Sequence, residues 1–402
     1  MRGVGLPGMN ARPNSTRLFS LLLAGFTVYG AIFTVYGATV PRVISDFGWS
    51  YAVTGLVLAA GSVGFFVSTF LTGLLVEGSH PKAVYIAALC LCAGAVALFA
   101  RWPSPIINLV LSFLVGIGQG VIEVVTNYET VRLEKSGHSR LMNLLHAGFS
   151  AGAIAAPLAI GALLQRGASW QLAFPASGIL LLVLALAAAM VRFPMPERGA
   201  HHGASGGLAL LKQPLLMLLC LAIIFYVGSE LSATNWVAEY FVRVLGAPAP
   251  TASFAVSALW IGLLMGRLLL SALRNRGRQE ILLLVLSLFC VAALIGFLSL
   301  RGVIPAMAVV FALGLGYSGI YPLIMTLAGQ VFRSSAAVGM VGTAAGIGSF
   351  SFPYLMARLA QAAGLQSGFL LLGALPLGIA VISLQLIRLR RAPPKRHKPH
   401  PA

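Results

Sequence analysis

The sequence predicts an all-α integral membrane protein with twelve transmembrane helices, on the strength of two observations. Of its 402 residues, 58% are hydrophobic and 9% are charged, and the mean hydropathy is +0.92, whereas roughly a quarter of the residues are charged in an average soluble domain. In addition, apolar blocks of about 20 residues recur along the whole chain, each long enough to cross the hydrocarbon core of a bilayer as a helix. This composition excludes a water-soluble fold.

Twelve apolar blocks follow one another along the chain. The first comes after a basic leader, is too long for the core of a signal peptide and lacks a clear small-residue cleavage site, so we expect it to be retained as a helix. The others are long enough to span a bilayer as helices. The predicted spans are 18–43, 51–76, 83–100, 104–131, 141–165, 169–192, 213–244, 250–273, 280–300, 303–331, 336–363 and 366–389.

The net charge of +18 would favour nucleic-acid binding in a soluble protein, but the positions of the basic residues favour a membrane topology. With the N-terminus inside, most of the 27 Lys and Arg residues lie in cytoplasmic tails and loops. We therefore expect a multi-pass protein of the cell (inner or plasma) membrane, with both termini cytoplasmic and no nucleic-acid partner. The basic clusters, which also attract anionic lipid, are Arg132/Lys135/Arg140, Arg274/Arg276/Arg278 and Arg388 to Lys398.

A polar stretch near the middle of the chain separates two halves of six spans each. Residues 194–212 are rich in Pro, Gly and His and show no apolar periodicity, which predicts a cytoplasmic linker. The four Cys residues lie inside spans, so we expect no disulfide, metal site or other cofactor. The predicted order is an N-terminal tail (1–17), a six-helix half (18–193), the linker (194–212), a second six-helix half (213–391) and a basic C-terminal tail (392–402).

The two halves are related by a weak internal repeat with an offset of about 197 residues. The matched pairs are Gly116/Gly314, Gly118/Gly316, Gly152/Gly348, Pro157/Pro353 and Tyr29/Tyr226. Parallel six-helix repeats are the plan of the major facilitator transporters, in which substrate binds between the halves. The chain resembles that superfamily, and the resemblance implies the major facilitator fold, with two pseudo-symmetric six-helix halves, in a monomer.

The connection after the second span resembles the major facilitator loop signature. That signature consists of Gly, three residues, an acid, a basic residue, any residue, Gly and two basic residues. The members that this sequence keeps are Gly73, Glu77 and Lys82. The resemblance implies a structural or gating role for these three residues.

The chain is also similar, over nearly its whole length, to the fucose/glucose–proton symporter branch of that superfamily. The segments that carry this likeness are Gly116 to Asn127, Tyr226 to Glu230, Trp236 to Tyr240, Trp260 to Arg267 and Gly316 to Pro322. The resemblance implies proton-coupled sugar uptake. The first span departs from the fucose permease pattern, which has an acid there, because no Asp or Glu occurs between Gly30 and Pro41.

Glu123 is the main candidate for the coupling chemistry. An acid at membrane depth costs several kcal/mol, so one that persists there usually lines a polar pathway, pairs with a cation or carries a proton. Gln119, Glu123 and Asn127 follow at intervals of four residues, which places them on one helix face. We expect this face to border a central cavity, with Glu123 carrying the proton and both amides binding substrate. The alternative is a structural Glu held by hydrogen bonds to its neighbours.

Three other ionisable side chains within predicted spans are candidates for the site. His146 shares a face of the fifth span with Asn143, and it is either a proton relay, a hydrogen-bond donor to substrate or a packing and capping residue. Glu230, in the seventh span, is a second coupling acid or a ligand to sugar hydroxyls. Its alternative is a salt bridge to Arg267, the one basic residue well inside a span, because buried charges are usually paired.

A sugar site needs aromatic faces for the C–H surfaces of the ring and hydroxyl or amide groups for hydrogen bonds. Tyr29 and Tyr36 share a face of the first span. The residues that we expect to bind substrate are Tyr36, Gln119, Asn127, Asn143, His146, Asn235, Trp236, Trp260, Tyr317 and Tyr321. Gly262 and Gly266 form a small-xxx-small pair, which predicts close packing of the eighth span on a neighbour.

The energy source follows from what the sequence lacks. It has no Walker-type phosphate loop and no paired-Cys metal motif, so we expect no enzymatic activity and a gradient as the driving force. The sequence thus predicts a secondary active transporter that takes up a small polar solute, a sugar or polyol, together with protons by alternating access. The alternative is a proton-coupled antiporter that exports an amphipathic compound or metabolite.

Overall fold

The computed structural model describes residues 13–75, 80–134, 140–194, 213–272, 278–332 and 335–391. Their regular structure consists of thirteen α-helices and one short 3-10 turn at Trp170–Leu172. In chain order the helices are α1 (Pro13–Phe47), α2 (Tyr51–Leu75), α3 (Pro81–Leu98), α4 (Pro105–Leu133), α5 (Arg140–Gln165), α6 (Ala173–Met190), α7 (Pro214–Arg243), α8 (Ala249–Ala272), α9 (Gln279–Ser299), α10 (Val303–Tyr317), α11 (Ile320–Phe332), α12 (Ser335–Ala363) and α13 (Leu365–Arg391).

The predicted all-α membrane fold is confirmed. Eleven stretches of the described chain are long and apolar enough to cross a membrane, and each lies within a few residues of a predicted span. One of them, the tenth predicted span, comprises α10 and α11, which are interrupted at Ser318 and Gly319. The remaining predicted span, 336–363, is the helix α12, whose many Gly, Ala and Ser residues give it a more moderate hydropathy.

The helix ends coincide with residues that favour them. Pro occupies the first turn of α3, α4 and α7, where its missing N–H costs no helical hydrogen bond. Positive φ angles, which glycine adopts without a steric penalty, follow the last turns of α1, α5, α7 and α12. The residues that adopt them are Gly48, Gly167, Gly246 and Gly364, respectively. The same kind of turn therefore ends corresponding helices in both halves.

The internal repeat is also present in the packing. Gly116 of α4 lies against the backbone carbonyl of Gly61 in α2, and Gly314 of α10 lies against that of Leu259 in α8. A Cβ atom at either glycine would collide with this carbonyl, so only glycine permits the close approach. The matching contacts elsewhere are Gly152 with Thr27 (α5 and α1) and Gly348 with Ile224 (α12 and α7). Equivalent helix pairs thus make equivalent contacts in the two halves.

The halves, α1–α6 and α7–α13, meet through a subset of their helices. Helices α1, α2 and α5 of the first half pack against α7, α8 and α12 of the second. The candidate site lies in the space that remains between them.

Candidate functional site

A cavity of about 1080 Å³ lies between the two halves. Its wall includes both candidate acids, Glu123 and Glu230. The other members of the predicted site that border it are Gly73, Tyr36, Gln119, Asn143, His146, Asn235, Trp260, Arg267 and Tyr321. Much of the remaining wall is aromatic, from Phe26, Phe33, Phe65, Phe66, Phe70 and Phe149. The cavity therefore offers polar and ionisable groups within a largely apolar enclosure.

The cavity opens at the end of the bundle where α1 begins and α13 ends. Gly73 near the end of α2, Ser271 near the end of α8 and Gly339 near the start of α12 border the cavity and are exposed. Because successive spans cross in opposite directions, these three helix ends lie on the same side. A solute can therefore enter the cavity from that side in this conformation.

At the opposite end, hydrogen bonds join the two halves. The hydroxyl of Tyr51 in α2 donates to Oε1 of Glu239 in α7 at 3.2 Å, and its backbone N–H donates to Oε1 of Gln361 in α12 at 3.0 Å. Glu239 is fully buried and also accepts from Nε of Arg243 at 3.1 Å. Two further bonds run from α8 to carbonyls of the first half, Ser253 to Ala38 at 3.0 Å and Ser257 to Ile154 at 2.8 Å. The structure is closed at this end.

The carboxylate of Glu123 is held by a residue from another helix. The hydroxyl of Tyr29 in α1 donates to Oε2 of Glu123 in α4 at 2.8 Å. The Tyr29 ring is itself fixed by edge-on contacts with Phe26 and Phe149, with centroids 5.3 and 5.1 Å away. Sequence reasoning placed Tyr29 on one face with Tyr36 but did not assign it to Glu123.

The internal repeat places no acid in the second half at the position equivalent to Glu123. At the repeat offset, Tyr29 corresponds to Tyr226, and Glu123 corresponds to Tyr321. The rings of Tyr226 and Tyr321 lie 6.0 Å apart, so the second half has an aromatic pair where the first has a tyrosine and a carboxylate. At these equivalent positions, the first half therefore has an ionisable carboxylate and the second half has only tyrosine side chains.

Glu230 does not form a salt bridge with Arg267. Ion pairs within 4.0 Å join described residues at Arg42–Asp46, Arg132–Glu129 and Arg243–Glu239. Glu230 and Arg267 are close enough to interact electrostatically, but they are not among these pairs. Both side chains border the cavity.

Trp260 connects the two halves within the cavity wall. Its ring, on α8, makes edge-on contacts with Phe33 of α1 and Phe149 of α5, with centroids 5.7 and 5.6 Å away. His146 lies in the same cluster, edge-on to Phe26 with centroids 5.4 Å apart. The fifth helix thus brings Asn143 and His146 to the cavity, as their spacing predicts.

Three of the predicted binding residues lie outside the cavity wall. Tyr317 is buried and shares a hydrogen bond of 2.5 Å with the Ser229 hydroxyl. Trp236 is buried and packs edge-on against Tyr51, with centroids 5.8 Å apart. Asn127 lies on α4 beyond Glu123 and does not border the cavity. In this conformation these side chains belong to the helix packing around the site.

Of the residues predicted to have structural or gating roles, Gly73 and Arg267 border the cavity, and others form contacts between helices. Gly262 packs α8 against the Phe311 carbonyl of α10, and Gly266 packs it against Ser318 at the break before α11. The Lys82 ammonium donates to the Ala189 carbonyl at 2.7 Å, which links α3 to the end of α6. Glu77 lies outside the described residues, as do nearly all of the predicted linker 194–212 and the tail 392–402.

The family model described as Major Facilitator Superfamily matches residues 21–337 and again residues 218–402. The chain belongs to this superfamily. It is therefore a multi-pass membrane transporter of the major facilitator type and not an enzyme.

Sequence relatives extend over almost the whole chain. An uncharacterized MFS-type transporter of Yersinia pestis is 25% identical over 383 residues, covering 94% of this chain and 97% of the relative. The membrane protein MosC of Rhizobium meliloti is 23% identical over 400 residues, covering 98% and 96%. These relatives agree with a major facilitator transporter but leave the branch of the superfamily open.

Solved structures share the fold. The nucleoside transporter NupG superposes with a TM-score of 0.76 and 12% identity, covering 95% of this chain and 100% of that one. A bacterial homolog of the human lysosomal transporter Spinster, in an inward-facing and occupied conformation, superposes with a TM-score of 0.78 and 16% identity, covering 96% and 100%. At these identities the likeness concerns the fold alone.

Proposed function

We propose that this transporter couples solute movement to protons and that Glu123 carries the proton. The observation that supports this is the hydrogen bond from Tyr29 to Glu123 in the wall of the cavity. An ionised carboxylate only accepts hydrogen bonds, whereas a protonated one also has an O–H that donates. Protonation therefore changes the bonding between α1 and α4, two helices that border the solute path.

The orientation that we propose has both termini in the cytoplasm, because the Lys and Arg residues then follow the positive-inside rule. The open end of the cavity then faces the cytoplasm, and the Tyr51–Glu239 end faces outside. A single Cys at Ser205, which lies outside the described residues, tests this in a variant without native Cys. Labelling only after permeabilisation supports the orientation, and labelling of intact cells by an impermeant maleimide contradicts it.

The solute that we propose is a small polar molecule, a sugar or polyol, taken up with protons. The amides of Gln119, Asn143 and Asn235 and the rings of Tyr36 and Trp260 supply the hydrogen-bonding groups and flat faces that such a solute needs. Among the described residues, the Tyr36 hydroxyl, Gln119 Nε2 and Trp260 Nε1 have no hydrogen-bond partner. The resemblance to the fucose/glucose–proton symporter branch supports the same class of solute.

A second candidate is proton-coupled export of an amphipathic compound. The observation that favours it is the size and aromatic character of the cavity, because about 1080 Å³ slightly exceeds the usual range of ligand pockets, roughly 300 to 1,000 Å³. A solute that combines a ring with hydroxyl groups, as a nucleoside does, satisfies both the aromatic and the polar parts of the wall. The name of the structural neighbour NupG agrees with such a solute.

The direction of proton movement separates the two candidates. De-energised cells that express the transporter are given a sugar, polyol or nucleoside, and the external pH is recorded. Alkalinisation that depends on the solute supports symport, and acidification supports antiport. The matched control is the E123Q variant, which we expect to show neither response. Solute uptake with no pH response in the native protein contradicts proton coupling.

A further inference from the structure

Arg267 is a charged group that the proposed proton pathway does not use. It lies on α8, is half-buried and borders the cavity, and among the described residues no carboxylate oxygen lies within 4.0 Å of its guanidinium. Arginine keeps its charge at any physiological pH. An intramembrane cation of this kind normally has a partner or marks a path for an ion or a substrate.

The neighbours of Arg267 belong to both halves. The guanidinium interacts electrostatically with Glu230 of the second half and with His146 of the first. In the described part of the chain, Glu230 also interacts with Tyr226 on its own helix, Tyr317 on α10 and Tyr321 on α11. Glu123, on the opposite wall, interacts with Tyr321. Arg267 therefore borders a cavity that a solute can fill, close to an acid with which, among the described residues, it forms no ion pair within 4.0 Å.

We propose that Arg267 binds the carboxylate of an organic monoanion, and that this carboxylate competes with Glu230 for the guanidinium. The proposal rests on the proposed function, because it takes the cavity as the solute path. The guanidinium fork matches the two oxygens of a carboxylate in a bidentate hydrogen bond. Arg267 is the single Lys or Arg in the described wall, and both Glu123 and Glu230 repel further negative charge, so a monoanion fits better than a phosphate dianion.

The same helix, α8, indicates which side chains the rest of the solute would contact. Trp260 and Arg267 are separated by two turns of α8, so they share a face and lie about 10 Å apart along the axis. Around Trp260 the wall is formed by Phe33 and Phe149. A carboxylate at Arg267 thus leaves the body of the solute against aromatic rings, as in an aryl or alkyl carboxylate or a sugar acid.

The competition links binding to protons. An ionised Glu230 attracts the guanidinium, and a protonated Glu230 leaves it to the solute carboxylate. One proton taken up by Glu230 then balances one negative charge on the solute, so the loaded cavity gains no net charge. This device adds to the coupling assigned to Glu123 and gives the second half of the protein its own titratable group.

Equilibrium binding to the purified transporter tests the proposal with matched pairs of probes. The pairs are benzoate and benzamide, 4-phenylbutyrate and its amide, and glucuronate and glucose, followed by thermal shift and calorimetry. We expect at least one carboxylate to bind saturably and its neutral partner to bind at least about tenfold more weakly, the loss expected for a charge-assisted hydrogen bond. R267Q should remove this preference, R267K should retain part of it, and R42Q, a matched change at an exposed pair far from the cavity, should retain all of it.

The E230Q variant separates competition from simple attraction. It should still bind the carboxylate, and that binding should depend less on pH than in the native protein, because Gln cannot take up or release a proton while Glu123 remains. The proposal is overturned if no carboxylate probe binds the native protein, if neutral partners bind equally well, or if folded R267Q or R267K keeps the full preference. Loss of carboxylate binding in folded E230Q also contradicts it. Failure of the proposed function would instead appear in proteoliposomes, as carboxylate binding without pH-driven accumulation.

Discussion

Tyr51 and Glu239 form a hydrogen bond of 3.2 Å between the two halves, at the end of the cavity that is closed. Glu239 is fully buried, and its second oxygen has no partner among the described residues. The bond to Tyr51 therefore stabilises an otherwise costly carboxylate for as long as the halves stay together at this end. Opening this end requires that the bond be broken.

Replacing Tyr51 with Phe should favour the conformation that is open at this end. Loss of a hydrogen bond to a charged group corresponds to about 1.5 kcal/mol, or about tenfold in the population of the opened state. The measurement is the maleimide labelling rate of a Cys at Ala38, which is buried where its carbonyl meets Ser253 of the second half, in a background without native Cys. Y354F, which removes an exposed tyrosine hydroxyl on α12, is the control and should leave the rate unchanged.

Replacing Glu123 with Gln should abolish pH-driven accumulation but leave counterflow without a gradient measurable. Gln keeps the shape and the acceptor for Tyr29, but it cannot release a proton. Both assays are made in the same proteoliposomes. E134Q is the matched control, because Glu134 directly follows the same helix and accepts from the Leu141 N–H in the first turn of α5 at 2.8 Å, a bond that Gln can also make. If E123Q still concentrates solute under a pH gradient, Glu123 is not the proton carrier and Glu230 becomes the leading candidate.

Tyr29 and Glu123 should act as a unit. Y29F keeps the ring contacts with Phe26 and Phe149 but removes the hydroxyl that donates to Glu123. We expect Y29F to reduce pH-driven uptake several-fold but to leave counterflow without a gradient nearly unchanged, because the hydroxyl acts through the proton carrier Glu123. Both assays are made at equal amounts of folded protein. A loss of counterflow as large as the loss of pH-driven uptake would show that Tyr29 does not act through Glu123.

Replacing Gly116 with Ala should destabilise the fold. The new Cβ atom would collide with the Gly61 carbonyl of α2 and force α2 and α4 apart, a strain of about 1 to 3 kcal/mol. Thermal unfolding in detergent should show a lower Tm. The control is Gly94→Ala in α3, where no atom lies within 4 Å of the new Cβ, so the Tm should stay unchanged or rise. Equal Tm values for the two variants would contradict close packing at Gly116.

The spans could be predicted from the sequence because the thickness of the bilayer fixes the length of each apolar block. The helical period also predicted that Gln119 and Glu123 share the cavity face. It failed for Asn127 because eight residues at 3.6 per turn rotate the side chain by about 80° relative to Gln119. Asn127 therefore lies outside the wall, although it is only four residues from Glu123.

Contacts between distant helices could not be predicted in this way. The bonds Tyr29–Glu123 and Tyr51–Glu239 join residues far apart in sequence, and their partners depend on how the helices pack. Aromatic residues inside the spans were equally ambiguous, since Trp260 borders the cavity whereas Trp236 and Tyr317 are buried in the packing. Periodicity gives the face of a helix, but not which of its neighbours that face meets.

The contacts of Trp260 with Phe33 and Phe149 give the transporter a built-in optical reporter. The chain has five Trp residues, and the indole at position 260 borders the cavity between the halves. When the halves separate at Trp260, its indole loses contact with Phe33 and Phe149 and becomes exposed to water, so its fluorescence emission shifts to longer wavelength. The difference between the spectra of the native protein and W260F therefore follows the alternation of access without any attached dye.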